Sequence, residues 1–107
     1  MEIEEIKSVY FVGAGGIGMS ALIRYFLSQG KIVAGYDRTP TPLTARLIEE
    51  GAKIHYEDDV NQIPACCKQP GSTLIVYTPA IPDDHAELTY FRERNFCIQK
   101  RAQVLGI

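Results

Sequence analysis

Apolar positions along the chain form two alternating patterns, short continuous runs and longer stretches with helical spacing. The run from Ser8 to Val12 leads into glycines, after which apolar side chains recur every three or four residues: Met19, Leu22, Ile23, Phe26 and Leu27. A continuous run is typical of a buried strand, and the recurrence is typical of one helix face. The beginning of the chain therefore predicts a strand, a glycine-rich turn and a helix.

Four further apolar runs predict the remaining strands, namely KIVAGY, AKIHY, TLIVY and FCI. TLIVY is apolar on both faces, as parallel strands covered on both sides usually are. Because strands alternate with helices at short spacing, we expect an α/β, Rossmann-like fold with a parallel sheet and helices on both faces. The expected strand order is 3-2-1-4-5, that of half of a doubly wound nucleotide-binding fold.

Two more helices are predicted between these strands. Thr41 and Pro42 supply an N-cap and a first-turn proline for the second helix, with Ile48 among its inward side chains. Asp83 or Asp84 is expected to cap the third helix. Before it, the acidic residues of EDDVNQIP are expected to form a solvated loop or a helix cap.

The composition indicates one ordinary globular domain. The 107 residues are 46% hydrophobic and 22% charged, with a formal net charge of -2. This charge offers no electrostatic footprint for nucleic acid or an anionic membrane, so any anion must be bound locally. The start MEIEEIKS is acidic, unlike a secretory signal, and no apolar run approaches the ~20 residues of a membrane span. We therefore expect a cytoplasmic protein.

Reactive side chains form no catalytic set in the sequence. Cys66, Cys67 and Cys97 lack the spacing of a redox or zinc site and are expected to be free thiols. His55 and His85 have no partners at metal-binding spacing, and His55 is expected to be core or edge filler. The phosphate loop G-x-x-x-x-G-K-[ST] is missing from the sequence, so we expect no ATP site here.

The segment VGAGGIGMS carries the pattern G-x-G-x-x-G at Gly13, Gly15 and Gly18. The first glycine allows a tight turn, the second lets a phosphate approach the backbone, and the third lets helix and strand pack closely. Gly16 adds flexibility. The N–H groups exposed from Gly15 to Gly18, together with the helix dipole, predict an anion site that needs no lysine or arginine.

Three polar positions extend this candidate site. Asp37 lies nineteen residues after Gly18, near the ~20-residue offset at which an acid meets a ribose hydroxyl. Arg38 beside it suits an alternative contact with the 2'-phosphate of NADP. Thr78 ends the fourth strand, where open α/β sheets bind ligands. The residues alone thus fit either a dinucleotide cofactor or a nucleotide-linked substrate.

Four stretches form a specific combination, namely GGIGMS, the G-x-D end of the second strand, VYTPAIPDDHAEL and IQKRAQVLG. In this combination the chain resembles the amino-terminal domain of the Mur ligases, from about Val9 to Gly106. It is similar in particular to the members that join L-alanine to UDP-N-acetylmuramate. The resemblance implies a three-domain cytoplasmic enzyme of peptidoglycan synthesis, of which residues 1–107 form a single, non-catalytic amino-terminal domain.

The resemblance also implies the chemistry of the whole enzyme. ATP and magnesium bind a central domain, and ATP phosphorylates the lactyl carboxylate of UDP-N-acetylmuramate. The amine of L-alanine then attacks the acyl phosphate to form an amide. The first domain holds the UDP part of the substrate and binds no cofactor. Its expected partners are therefore this substrate and the central and carboxy-terminal domains, with no nucleic acid and no membrane.

By this resemblance the substrate-binding residues fall into four groups. The loop that holds the diphosphate comprises Gly13, Ala14, Gly15, Gly16, Ile17, Gly18, Met19 and Ser20. The group near the uridine comprises Asp37, Arg38 and Thr39. The opposite wall comprises Thr78, Pro79, Ala80 and Ile81. Arg101 is expected to reach a phosphate, and no catalytic or metal-binding residue is expected.

The chain departs from the family pattern after the third strand, and two rival functions also fit its residues. Many relatives carry Gly-His after the third strand, where this chain has Glu57 and Asp58, so no histidine contact is transferred there. His55 lies close by, at a register that points to the opposite face. The chief rival is an NAD(P)-binding domain of a dehydrogenase or a regulatory sensor. A nucleotide-independent interaction module on the same scaffold is the third possibility.

Overall fold

A computed structural model describes residues 3–15, 18–78, 81–82 and 84–100 of the protein. These residues form one parallel sheet with the strands β1 (Ser8–Val12), β2 (Ile32–Tyr36), β3 (Lys53–His55), β4 (Thr73–Tyr77) and β5 (Cys97–Lys100). The strand order is β3-β2-β1-β4-β5, as predicted. The chain therefore changes direction across the sheet between β1 and β4, the point where ligands of open α/β sheets bind.

Helices cover both faces of the sheet, also as predicted. The α-helices of the described ranges are α1 (Met19–Ser28), α2 (Pro42–Glu49) and α3 (Ala86–Glu93). Short 3-10 turns span Ile3–Glu5, Val60–Gln62 and Ala65–Lys68. Within the described residues, no helix is long and apolar enough to cross a membrane.

The alternation of side chains along β1 divides the core into two clusters. Val9 and Phe11 point to one face and pack with α1 and α2, in a cluster that includes Phe26 and Leu47. Tyr10 and Val12 point to the other face and pack with α3, in a cluster that includes Phe91 and Ile63. Every residue of β1 is buried because helices or 3-10 turns cover both faces.

Local sequence signals predict the start of α2 and its inward side chains, except at Ile48. Thr41 and Thr44 form a reciprocal capping box, and Pro42 is the first helical residue, as predicted. Leu47 is fully buried. Ile48 is 41% exposed, so its predicted inward orientation is wrong. Successive residues of a helix are separated by about 100°, which turns Ile48 away from the sheet when Leu47 faces it.

The beginnings of α3 and β5 differ from prediction. His85 precedes α3, and the first two amide groups of the helix donate to the carboxylate of Asp58. The predicted cap from Asp84 is therefore wrong, and Asp83 lies outside the described residues. β5 begins one residue later than the predicted run, because the Phe96 N–H donates to the Phe91 carbonyl oxygen of α3 at 3.2 Å.

Candidate functional site

β1 runs directly into the glycine loop, which we define as residues 13–18. The N–H groups of Gly13 and Ala14 both donate to the carbonyl oxygen of Tyr36, at 2.8 Å each. Gly13 has φ = +95°, and Gly18, just before α1, has φ = +79°. These left-handed conformations favour glycine and turn the chain from the strand into the helix. The prediction of a tight turn at Gly13 is confirmed. Glycine is favoured at position 18 because the backbone there is left-handed.

Asp37 lies directly against the glycine loop. Its Oδ1 accepts a hydrogen bond from the Gly15 N–H at 3.0 Å, and its Oδ2 accepts one from the Thr39 N–H at 3.3 Å. A Cβ atom at Gly15 would lie 3.1 Å from this carboxylate. The Gly15 amide, expected to be free for an anion, is thus engaged by Asp37, because a nearby carboxylate forms a strong charge-assisted hydrogen bond.

The start of α1 differs from the starts of the other two helices. No side chain of the described residues caps α1, whereas Thr41 caps α2 and Asp58 caps α3. The first amides of a helix have no partner within the helix and carry its positive dipole end. Met19 is fully buried and Ser20 is half-buried, and the first turn of α1 follows the glycine loop directly.

A segment that follows β4 approaches the glycine loop from the other side. We call Thr78, Ile81 and Pro82 the wall; residues 79 and 80 between them lie outside the described residues. A Cβ atom at Gly13 would lie 3.1 Å from Oγ1 of Thr78 and 3.5 Å from Cδ1 of Ile81. Thr78 is buried and Ile81 is half-buried. The tertiary structure thus places two predicted site residues next to the first loop glycine.

The other predicted site residues are less constrained or lie outside the described ranges. Arg38 and Thr39 are exposed at the end of β2. The predicted site residues outside the described ranges are Gly16, Ile17, Pro79, Ala80 and Arg101. The substrate-binding roles of these five residues, like those of the described site residues, stay predictions.

A buried polar cluster that the sequence analysis missed lies on the α3 side of the sheet. Glu87 is fully buried, and its Oε1 accepts a hydrogen bond from the Tyr10 hydroxyl at 2.5 Å. Its Oε2 lies 2.7 Å from His55 Nε2 and accepts the Asp59 N–H at 3.1 Å. Burial, and next the charge of Glu87, raise the pKa of Tyr10 above its usual range. The hydroxyl therefore remains a proton donor at neutral pH.

The helical spacing contained a signal for this cluster. Glu87 precedes Phe91 by four residues, which places both on the inward face of α3. A carboxylate on an apolar helix face requires buried partners. Nothing in the sequence identifies Tyr10 and His55 as these partners, because β1 and β3 meet α3 only in the folded chain.

Asp58 and His85 form a second polar contact beside this cluster. Oδ1 of Asp58 lies 3.2 Å from Nδ1 of His85, and the Leu88 N–H lies 3.4 Å from the same nitrogen. One nitrogen cannot donate to the carboxylate and accept from the amide, and the shorter contact to the carboxylate is the stronger one. The His85 ring packs edge-on against Tyr36 at 4.7 Å, and its buried Nε2 has no partner among the described residues. Burial, and next the charge of Asp58, raise the pKa of Tyr36.

The cysteines are free thiols, as predicted. Cys66 and Cys67 are neighbours in a 3-10 turn with sulfur atoms 4.0 Å apart, and Cys97 is the first residue of β5. Burial raises the pKa of the Cys67 thiol to about 12, so it is protonated at neutral pH. The described residues contain no group of three or more side chains suited to a metal ion.

Comparison with known proteins places these features in a family context. Residues 8–107 match the family model described as "Mur ligase family, catalytic domain". The UDP-N-acetylmuramate--L-alanine ligase of Phocaeicola vulgatus is 64% identical over 107 residues, which are 100% of this chain and 23% of that protein. The protein of the same name from Parabacteroides distasonis is 62% identical over 106 residues, which are 99% of this chain and 23% of that protein.

Solved structures show the same fold. UDP-N-acetylmuramate-alanine ligase from Thermotoga maritima superposes with a TM-score of 0.80 at 31% identity, over 92% of this chain and 21% of that chain. A UDP-N-acetylmuramate:L-alanyl-gamma-D-glutamyl-meso-diaminopimelate ligase from Neisseria meningitides superposes with a TM-score of 0.76 at 18% identity, over 94% of this chain and 30% of that chain. The second match concerns the fold alone. The chain spans about a quarter of the length of the curated relatives it matches.

Proposed function

Because the chain belongs to the Mur ligase family, we propose that it binds the UDP part of UDP-N-acetylmuramate. It does so as the amino-terminal domain of an ATP-dependent ligase that joins L-alanine to this substrate. The relatives with 64% and 62% identity carry the name of that activity. Residues 1–107 then correspond to the substrate-docking domain of a three-domain enzyme.

The observation that carries the proposal is the uncapped start of α1 at the carboxyl end of the sheet. Among the helices of the described ranges, α2 and α3 have their first amides bound by Thr41 and Asp58, whereas no described side chain caps α1. Uncapped amides and a positive dipole end favour an anion there. A diphosphate supplies that anion, which also explains why a chain of net charge -2 needs no basic patch.

The occupied Gly15 amide divides the proposed site into two parts. The diphosphate takes the backbone between residue 16 and the first turn of α1, and Asp37 takes a ribose hydroxyl. Oδ1 of Asp37 keeps its hydrogen bond to Gly15, and a hydroxyl donates to a remaining lone pair of the carboxylate. Thr78 and Ile81 border the ligand from the wall side, and Arg101 is predicted to reach a phosphate.

The chemistry of the proposed ligase lies outside this chain. ATP and magnesium would bind the central domain, activate the lactyl carboxylate as an acyl phosphate, and let the alanine amine attack it. The residues described here contribute by binding and orienting the nucleotide end of the substrate. A cytoplasmic location, where ATP and the nucleotide-linked substrate are available, stays a prediction.

Calorimetry on the 107-residue chain tests this proposal against its rivals. We expect UDP-N-acetylmuramate and UDP to bind with micromolar to millimolar dissociation constants, about 4 to 8 kcal/mol, since the rest of the enzyme contributes the remaining contacts. NADH and NADPH are the matched dinucleotide probes. Tighter binding of either one than of both uridine ligands would favour a dehydrogenase or sensor, and no binding of any would favour the interaction module.

A further inference from the structure

The buried carboxylate of Glu87 links α3 to three other parts of the fold. Its partners are the Tyr10 hydroxyl of β1, Nε2 of His55 at the end of β3, and the Asp59 N–H in the following segment. All three contacts are 3.1 Å or shorter, and Glu87 has no exposed surface. A buried carboxylate with three polar partners in different elements allows few positions for the first turn of α3.

Asp58 makes the reciprocal connection from that segment back to α3. Its Oδ2 accepts the Ala86 N–H at 2.9 Å, and its Oδ1 accepts the Glu87 N–H at 3.0 Å. Oδ1 also lies 3.2 Å from Nδ1 of His85. We call Asp58 and Glu87 together the α3 anchor. Asp58 lies in the segment after β3 and binds amides of α3. Glu87 lies in α3 and binds groups of β1, β3 and that segment.

A backbone hydrogen bond connects the wall to the residue before α3, so the anchor bears on the candidate site. The Ile81 N–H donates to the Thr78 carbonyl and the His85 N–H to the Pro82 carbonyl, each at 3.2 Å. Thr78 continues from β4 at one end of this segment, and the anchor fixes the other end. A shift of the first turn of α3 would therefore move Ile81, which borders Gly13 of the glycine loop.

We propose that Asp58 and Glu87 are positioning residues that fix the wall opposite the glycine loop and thereby set the width of the nucleotide cleft. The placement of the wall rests on the described contacts alone, and its effect on UDP rests on the proposed function. The anchor touches no ligand. It acts through Ile81 and Thr78.

The substitution Asp58→Ala tests the anchor, and Asp58→Asn is its conservative partner. Asparagine retains an oxygen that caps a helix well, whereas alanine leaves the Ala86 and Glu87 amides without an acceptor. The matched control is Thr73→Val, which removes a buried hydroxyl bonded to Ser8 at the opposite end of the sheet. Urea unfolding first establishes conditions in which all variants are fully folded.

Two measurements on the folded proteins then separate the anchor from a merely structural cap. In amide NMR spectra without ligand, Asp58→Ala should shift the resonances of Gly13, Thr78 and Ile81, and Thr73→Val should leave them in place. In titrations, Asp58→Ala should weaken UDP binding about tenfold, Asp58→Asn should restore most of it, and Thr73→Val should bind as the parent does.

The outcomes distinguish this inference from the proposed function. Unchanged wall resonances in Asp58→Ala overturn the anchor whether or not UDP binds. Shifted resonances with unchanged UDP affinity overturn its control of the cleft. If the wall resonances shift but the parent protein does not bind UDP, the result supports the anchor's placement of the wall. The same result overturns the anchor's role in the nucleotide cleft and contradicts the proposed function. Equal loss of UDP affinity in Thr73→Val also contradicts the inference, since any destabilisation would then suffice.

Discussion

α1 and α3 begin at the same edge of the sheet, but the amides of their first turns differ in their hydrogen-bond partners. α3 receives a carboxylate from Asp58, and a buried carboxylate from its own first turn binds three neighbouring groups. α1 begins after Gly18 without a side-chain cap from the described residues. The first amides of α3 thus have an acceptor within the protein, and the start of α1 is where we propose that the diphosphate binds.

This difference bears on the proposed position of the ligand more directly than the glycine pattern does. A G-x-G-x-x-G loop followed by a helix is compatible with a purely structural turn, and so is a capped helix start. A helix start that no described side chain caps, beside the wall and Asp37 and near a capped start in the same fold, supports the proposal that a diphosphate binds there. We therefore expect changes at α3 to alter stability or wall position, and changes at the loop to alter binding.

The largest effect on stability is expected for Glu87→Ala. The substitution leaves the Tyr10 hydroxyl, His55 and the Asp59 amide without their buried acceptor, which should lower the free energy of unfolding by about 3 kcal/mol. Glu87→Gln retains an acceptor for Tyr10 and should cost less. Urea denaturation of both variants measures this difference. An alanine variant as stable as the parent would show that the cluster does not stabilise the fold.

A smaller effect, on binding rather than stability, is expected for Gly15→Ala. The new methyl group would lie 3.1 Å from the Asp37 carboxylate and displace it, so we expect UDP affinity to fall about tenfold, or about 1.4 kcal/mol. The control is Gly35→Ala, whose Cβ would lie 2.6 Å from the Phe11 carbonyl oxygen and should destabilise the sheet by about 2 kcal/mol. Calorimetry and urea unfolding together separate the two glycines. Equal loss of stability in both would argue against a ligand role for Gly15.

The smallest effect concerns an exposed ion pair on the flank of α1. The hydrogen bond from Arg24, at 2.8 Å, lowers the pKa of Glu50 from 4.5. A carboxyl group with a lowered pKa adds stability that is present above pH 4.5 and is lost as the pH falls through the lowered value. In Glu50→Gln, the free energy of unfolding should therefore fall slightly less than in the parent as the pH is lowered below 4.5. Glu49→Gln is the control of equal charge, and an identical change in both variants would exclude the pairing.

The sequence predicted most of the architecture because its signals act over a few residues. Continuous apolar runs identified the five strands, helical spacing and capping residues identified the three helices, and Thr41 and Pro42 marked the start of α2. Short connections between alternating elements then led to the observed strand order. The glycine loop and Asp37 were identified by spacing, and the fold places them in contact.

What the sequence determined by itself was therefore the set of elements, their order in the sheet and the backbone loop at the end of β1. Tertiary structure decided which polar groups meet. Asp58 caps a helix 28 residues away, Glu87 reaches Tyr10 across 77 positions, and the Gly15 amide is bound by Asp37. Local patterns carry no information about such pairs, because the partners approach only after the sheet and helices have packed and excluded water from between them.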